Sequence, residues 1–132
     1  AYLKRDYATA LKLFRPLAEQ GYASAQHSLG VMYANGEGVT QDYKKAVEWY
    51  RLAAEQGDGE AQNNLGLMYT NGEGVIQDYV LAHSWFNLAA SNRSEKGSKN
   101  RDKVSALMTA SQISEAQDMA RGCLKKNYKN CE

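Results

Sequence analysis

The residues with the greatest chemical potential in this chain are two histidines, His27 and His83, and two glutamates, Glu37 and Glu73. A metal site or an acid–base pair would need such side chains to come together on facing elements. Neither histidine has a partner at ligand spacing, and the two glutamates lie in separate turns 36 residues apart. We therefore interpret both histidines as unpaired surface residues, and we predict no catalytic residue, no metal and no cofactor.

The short motifs of several common enzyme classes are also missing. The sequence has no Gly-x-x-x-x-Gly-Lys phosphate loop, no His-Glu-x-x-His motif, no Cys-x-x-Cys pair and no Ser-x-x-Lys of the kind that serine β-lactamases use. The sequence therefore predicts a protein that is not an enzyme.

Two cysteines, Cys123 and Cys131, lie within the last ten residues. They are either two reduced thiols in a frayed tail or a disulfide that closes a small loop, and we favour the disulfide. A disulfide requires an oxidising compartment, so it predicts a periplasm or the cell exterior. If both thiols are reduced, the cytoplasm is expected instead.

The dominant pattern of the chain is a 36-residue repeat. The phrase Leu-Gly-x-Met-Tyr-x-Asn-Gly-Glu-Gly-Val begins at Leu29 and again at Leu65, and both copies continue into Gln-Asp-Tyr. A period of about 20 to 50 residues is typical of stacked supersecondary units, which form extended binding surfaces more often than catalytic pockets.

Apolar residues three and four positions apart predict the helices that carry these residues. We name two kinds: A helices at 23–35 and 59–71, and B helices at 6–20, 42–56 and 78–91. The period weakens after residue 92, where a polar stretch at 94–108 precedes a last helix. A Ser/Thr-x-x-Gln pattern, Thr109 to Gln112, predicts a capping box at the start of that helix.

Glycine positions give two further expectations. Gly30 and Gly66 follow leucine in the middle of the A helices, and we expect an aromatic ring from a neighbouring helix to pack on each. Gly57 ends a B helix, but the equivalent residue one repeat later is Arg93. We expect Asn92 to end that helix instead.

The balance of charge excludes one class of partner. Sixteen basic and fifteen acidic residues leave a net charge of +1, which is not the footprint of a nucleic-acid binder.

Trp49 and Trp85 could stack on a base or sugar, but their identical phase in the repeat predicts core positions. No apolar run is long enough to span a membrane.

The length is that of a single domain. We divide it into a partial leading repeat (1–21), two full repeats (22–57 and 58–93) and divergent C-terminal capping helices (94–132). Residues 1–5 are interpreted as the end of an earlier A helix.

The block Ala61-Gln-Asn-Asn-Leu-Gly-x-x-Tyr69, followed by Asp78-Tyr-x-x-Ala-x-x-Trp-Phe-x-x-Ala89, resembles the tetratricopeptide consensus. The Asn-Gly-Glu-Gly-Val-x-Gln extension resembles the Sel-1-like repeat branch of that superfamily. The resemblance implies an all-α, right-handed α-solenoid that acts as an adaptor in protein complexes, often in bacteria. A cysteine-rich branch is associated with binding or hydrolysing β-lactams, and this chain lacks the cysteines found within its repeats.

In the superfamily the A helices line the concave face, and this implies where a protein or peptide partner would bind. The implied partner-facing positions are mostly those that differ between the two repeats: Ser24, His27, Val31, Ala34, Asn35, Glu60, Asn63, Leu67, Thr70 and Asn71. The same variation is expected of unconstrained solvent positions, and the two asparagines before glycine could instead cap their helices. An apolar repeat end at the N-terminus could also favour end-to-end self-association.

Overall fold

The computed structural model describes residues 6–132, which form seven α-helices and no strand, so the predicted all-α fold is confirmed. The helices are α1 (Tyr7–Glu19), α2 (Ala23–Asn35), α3 (Tyr43–Ala54), α4 (Gly59–Asn71), α5 (Tyr79–Ser91), α6 (Glu95–Ser105) and α7 (Ala110–Lys125). Residues 1–5, interpreted above as the end of an earlier helix, lie outside the described residues.

Short polar side chains start most of these helices. Asp42, Asp58 and Asp78 each accept a hydrogen bond from the backbone N–H three residues further on, at 3.1, 2.9 and 3.0 Å. This satisfies a donor that the first helical turn leaves free. The capping box predicted between Thr109 and Gln112 is confirmed.

Helix α6 begins in phase with the repeat, although its sequence has diverged. Its cap, Ser94, accepts from the N–H of Gly97 at 3.0 Å and lies 36 residues after Asp58, the cap of α4. Helix α6 packs against both α4 and α5. It therefore occupies the position of a third A helix, and the period extends further than the sequence pattern indicated.

The helices form two layers around a core of small and aromatic side chains. Helices α2, α4 and α6 are the A layer, and α1, α3, α5 and α7 are the B layer. From α1 to α5, each helix packs on the next helix along the chain. Helix α7 packs on α5. Trp85 and Phe86 are buried at 2% and 1% exposure, whereas Trp49 is only partly buried.

Aromatic rings contact both mid-helix glycines, as expected. A Cβ on Gly66 would lie 2.5 Å from the Phe86 ring, and one on Gly30 would lie 2.5 Å from Tyr50 Cδ1. No real side chain tolerates such a contact, so each glycine sets how closely an A helix and the following B helix approach.

The end of α5 agrees with our expectation in part. Asn92 caps α5, as expected, and its Nδ2 donates to Leu88 O at 3.1 Å. What the sequence did not predict is that Arg93 itself takes the left-handed conformation, with φ of 71°. Gly21 and Gly57 take the same role in the earlier repeats, at 102° and 86°. The backbone at Arg93 thus repeats the conformation of Gly21 and Gly57, although arginine lacks the freedom of glycine to adopt it.

Buried amides connect consecutive helices. Gln26 donates to Ala18 O at 3.1 Å and accepts from Gln56 at 2.8 Å. One repeat later, Gln62 donates to the carbonyl of Ala54 at 3.0 Å and accepts from Asn92 at 2.9 Å. We call these contacts the amide relay.

The repeated glutamates stabilise the turns. Tyr7 donates a hydrogen bond to Glu37 Oε2 at 2.9 Å, and the negative charge of Glu73 raises the pKa of Tyr43, the residue equivalent to Tyr7. Each glutamate thus faces the tyrosine at the start of the preceding B helix.

The end of the chain is joined to α7 by a disulfide between Cys123 and Cys131, whose Cα atoms are 5.1 Å apart. Within residues 6–132 there is no helix long and apolar enough to cross a membrane. The same residues hold no group of three or more His, Cys, Asp or Glu placed to bind a metal ion.

Candidate binding face

The A-face is the outward side of α2, α4 and α6, where the sequence places the partner-facing positions. Four of the predicted residues are exposed on it: Ser24, Asn35, Glu60 and Asn71. Five are partly buried: His27, Val31, Ala34, Leu67 and Thr70. Only Asn63 is buried, at 1% exposure.

The prediction that Asn63 faces a partner is therefore wrong. Its Oδ1 accepts a hydrogen bond from Asn100 Nδ2 of α6 at 2.9 Å. Helix α6 covers this position because it continues the A layer.

The same contact occurs one repeat earlier, between His27 and Asn64. His27 Nε2 lies 2.9 Å from Asn64 Nδ2, and both contacts join residues 37 positions apart. Each A helix is thus joined to the next by one polar bridge. His27 is consequently not the unpaired residue that we expected.

The surface interpretation is also wrong for His83, which is 1% exposed. Its Nδ1 lies 3.2 Å from Asn87 Nδ2, one turn along α5. Burial and the nearby positive charge of Arg101 lower the pKa of His83. The imidazole therefore takes its neutral form more readily, as suits a residue of the helix interface.

Asn35 and Asn71 leave their amides free. The helix ends are made by Gly36 and Gly72, which take the left-handed conformation at φ of 68° and donate backbone hydrogen bonds to Met32 and Met68. Neither asparagine side chain makes a hydrogen bond to residues 6–132. The amides can therefore donate to and accept from a partner.

A pocket opens on the A-face between α4 and α6, with a volume of about 160 Å³. Its lining is mostly apolar and consists of Leu67, Thr70, Phe86, Asn100, Lys103, Val104 and Leu107. Leu107 stands at the rim and is 61% exposed. Cavities of about 150 Å³ bind a molecule the size of benzene, so this pocket can accept one apolar side chain.

Sequence reasoning placed Leu67 and Thr70 on this surface but missed the residues contributed by α6 and by the turn that follows it. Counting 36 residues from Asn64, Leu67 and Asn71 would have led to Asn100, Lys103 and Leu107. The polar composition of α6 hides its place in the repeat, so its apolar pattern does not point to these residues.

The family follows from a match to the Sel1 repeat model. The model matches three consecutive segments, at residues 1–22, 23–58 and 59–94. The chain belongs to the Sel1 repeat family. As a Sel1 repeat protein it has in α6 and α7 a further helix pair beyond the last matched segment.

Two solved structures are similar to this Sel1 repeat chain. One is the Escherichia coli protein c5321, described as a protective antigen present in uropathogenic strains and displaying an SLR fold; it is 35% identical with a TM-score of 0.90. The match covers 98% of this chain and 28% of c5321, so this chain spans less than a third of that structure. The other is a Sel1 repeat protein from Oxalobacter formigenes, 36% identical with a TM-score of 0.69, over 76% of this chain and 83% of that one.

A comparison with curated protein sequences gave no match.

Proposed function

We propose that this chain is a non-catalytic protein-interaction module that binds a peptide or an extended segment of a partner protein along its A-face. The observation that carries the proposal is the apolar pocket between α4 and α6, whose lining residue Leu67 lies one helical turn before the exposed Asn71. An apolar side chain of the partner would fill the pocket, and Asn35 and Asn71 would bond to its backbone.

The physical basis is burial on a preformed surface. An apolar side chain that is fully removed from water contributes about 1.5–3 kcal/mol. The polar bridges between the A helices hold the face in place before binding, so the protein loses little conformational freedom when the peptide arrives.

The test is a substitution at the rim of the pocket. Leu107→Asp places a charge where the apolar side chain would enter, and we expect binding of selected peptides to weaken at least about tenfold, because the charge must be desolvated. Peptides would be selected from a displayed library on the immobilised chain, and their affinities measured by fluorescence anisotropy.

The matched control is Leu52→Asp. Leu52 is also an exposed leucine, at 45% exposure, but it lies on α3 in the B layer. This variant should bind the same peptides as tightly as the unaltered chain. Equal affinities for both variants and the original protein would show that the A-face pocket is not the binding site.

A second function, self-association, is favoured by an apolar patch on the first described helix. Leu13 and Leu17 of α1 and the adjoining Tyr22 are 63%, 42% and 58% exposed. Exposed apolar groups of this kind mark contact surfaces. Light scattering after size exclusion should give a mass above that of one chain, and Leu13→Asp should return it to one chain.

The disulfide supports an assignment to the periplasm or the cell exterior.

The β-lactam activity of the cysteine-rich branch can be tested with nitrocefin, for which we expect no turnover above background.

A further inference from the structure

A carboxylate-binding site holds the side chain of Glu132. Its Oε1 accepts from Arg51 Nη2 at 2.8 Å and from the Tyr69 hydroxyl, and its Oε2 accepts from Trp85 Nε1 at 2.9 Å. The three donors come from α3, α4 and α5. We name this cluster of Arg51, Tyr69 and Trp85 the Glu132 site.

The donors are suited to a negatively charged ligand. Arg51 also donates to the Tyr69 hydroxyl at 2.9 Å, which orients that group towards the carboxylate. Burial and the neighbouring Glu132 raise the pKa of Tyr69 to about 12, so its hydroxyl remains a donor at neutral pH. Charge-assisted hydrogen bonds of this kind are about twice as strong as neutral ones.

The same three residue types recur 36 residues earlier as Arg15, Tyr33 and Trp49. Arg15 Nη2 donates to the Tyr33 hydroxyl at 3.2 Å, as Arg51 does to Tyr69. Trp49 packs against both core clusters, one with Tyr33 and one with residues of α1 and α2. We name this cluster the repeat-equivalent site.

No carboxylate of residues 6–132 bonds to the repeat-equivalent site. Trp49 Nε1 has no hydrogen-bond partner among residues 6–132. Every buried side-chain nitrogen and oxygen of these residues has a partner, so the N–H of Trp49 must be exposed to solvent. The site also has a second cation, because Lys45 Nζ lies 5.5 Å from the centre of the Tyr33 ring. The Glu132 site has Leu81 at the corresponding position.

We propose that Arg15, Tyr33 and Trp49 bind a carboxylate supplied by an acidic peptide segment of another molecule, in the way that the Glu132 site binds Glu132. The occupied site provides the donor set and its geometry, and the repeat reproduces that set. The repeat-equivalent site shares no residue with the A-face pocket, so it is a second point of contact that does not depend on the function proposed above.

The two indole N–H groups allow a direct test, because the chain contains only Trp49 and Trp85. Their signals in a ¹⁵N-correlated NMR spectrum can be assigned with Trp49→Phe. The probe is the peptide acetyl-Gly-Glu-Gly-amide, whose only carboxylate is a side chain. We expect a saturable shift of the Trp49 signal and no shift of Trp85, whose N–H is already bonded to Glu132.

Two further peptides separate the sources of the carboxylate. Acetyl-Gly-Gln-Gly with a free terminal carboxylate tests a chain end, and the same peptide with a terminal amide has no carboxylate and should cause no shift. A response to either carboxylate peptide supports the site, and the stronger response identifies the preferred source. An equal response to the amide peptide would contradict it.

Two variants complete the design. Arg15→Gln should weaken binding at least about tenfold, the loss expected when a charge-assisted hydrogen bond is removed; Arg15 is exposed, so the fold should not change. Glu132→Ala removes the side chain that fills the Glu132 site, so it should make Trp85 responsive to the same probe. The absence of a saturable shift at Trp49 would overturn the proposal, and an unresponsive Trp85 in Glu132→Ala would show that this donor set does not bind a free carboxylate.

Discussion

At the scale of single residues, contact with an aromatic ring decides where glycine is required. Gly66 lies beneath the ring of Phe86, which is 1% exposed and cannot swing away. We expect Gly66→Ala to lower the free energy of unfolding by about 1–2 kcal/mol, because the overpacking cost exceeds the roughly 1 kcal/mol that alanine gains in a helix. Denaturant unfolding followed by circular dichroism measures the difference.

Gly122 in α7 provides the matched control, since nothing lies within 4 Å of a Cβ added there. Gly122→Ala should raise the free energy of unfolding by up to about 1 kcal/mol. A Gly66→Ala protein as stable as Gly122→Ala would show that the ring does not restrict this position.

The single residues differ in how far their roles could be predicted. The need for Gly66 followed from its cost in a helix, which demands a compensating contact. The burial of His83 and Asn63 did not follow from the sequence, because the chain brings α6 alongside only after folding. Asn63 bonds to Asn100 of α6, and α6 packs on α5, the helix that carries His83. A polar residue gives no local signal of its own burial.

At the scale of the helices, Arg93 occupies a turn that glycine occupies in both earlier repeats. A left-handed conformation costs a residue with a Cβ about 1 kcal/mol or more. Glycine removes that cost but makes the unfolded chain more flexible, so we expect Arg93→Gly to raise the free energy of unfolding by about 0.5 kcal/mol. Thermal unfolding of the variant and the original chain gives the comparison.

The reverse change tests the same turn one repeat earlier. Gly57 takes φ of 86°, and a Cβ there would lie 3.2 Å from the ring of Tyr128. Gly57→Ala should therefore destabilise the protein. If the Arg93→Gly protein proved less stable than the Gly57→Ala protein, the left-handed turn would not explain the stability of either.

Helix bounds were predictable where the signals are local. Helices α2 and α4 begin and end at the predicted residues, because a left-handed glycine follows each and Asp58 caps the second. The alignment of α6 with the A helices was not predictable from its apolar pattern, since only Gly97 and Val104 of that helix are buried. Its cap at Ser94 was the better signal.

At the scale of the whole molecule, the disulfide restrains the last residues. The bond between Cys123 and Cys131 spans a separation of 8 residues, and a loop of that size stabilises a protein by about 2–3 kcal/mol through the unfolded chain. We expect reductant to lower the free energy of unfolding by that amount. Denaturant unfolding with and without dithiothreitol, together with a count of free thiols, provides the measurement.

The double variant Cys123→Ala/Cys131→Ala is the control, because its stability should not respond to reductant. Two free thiols in the untreated protein would contradict the bridge.

The contact between Glu132 and Arg51 joins residues 81 positions apart, so no local pattern could have predicted it.

The amide relay has a consequence for how the array comes apart. Gln26 and Gln62 each donate to a carbonyl of the helix before and accept from a residue just beyond the end of the helix after. Peeling one repeat away would strand a buried amide, at a cost of about 1–3 kcal/mol for each unpaired group. We therefore expect consecutive repeats to unfold together rather than one at a time, so that strain applied at one repeat is shared by its neighbours.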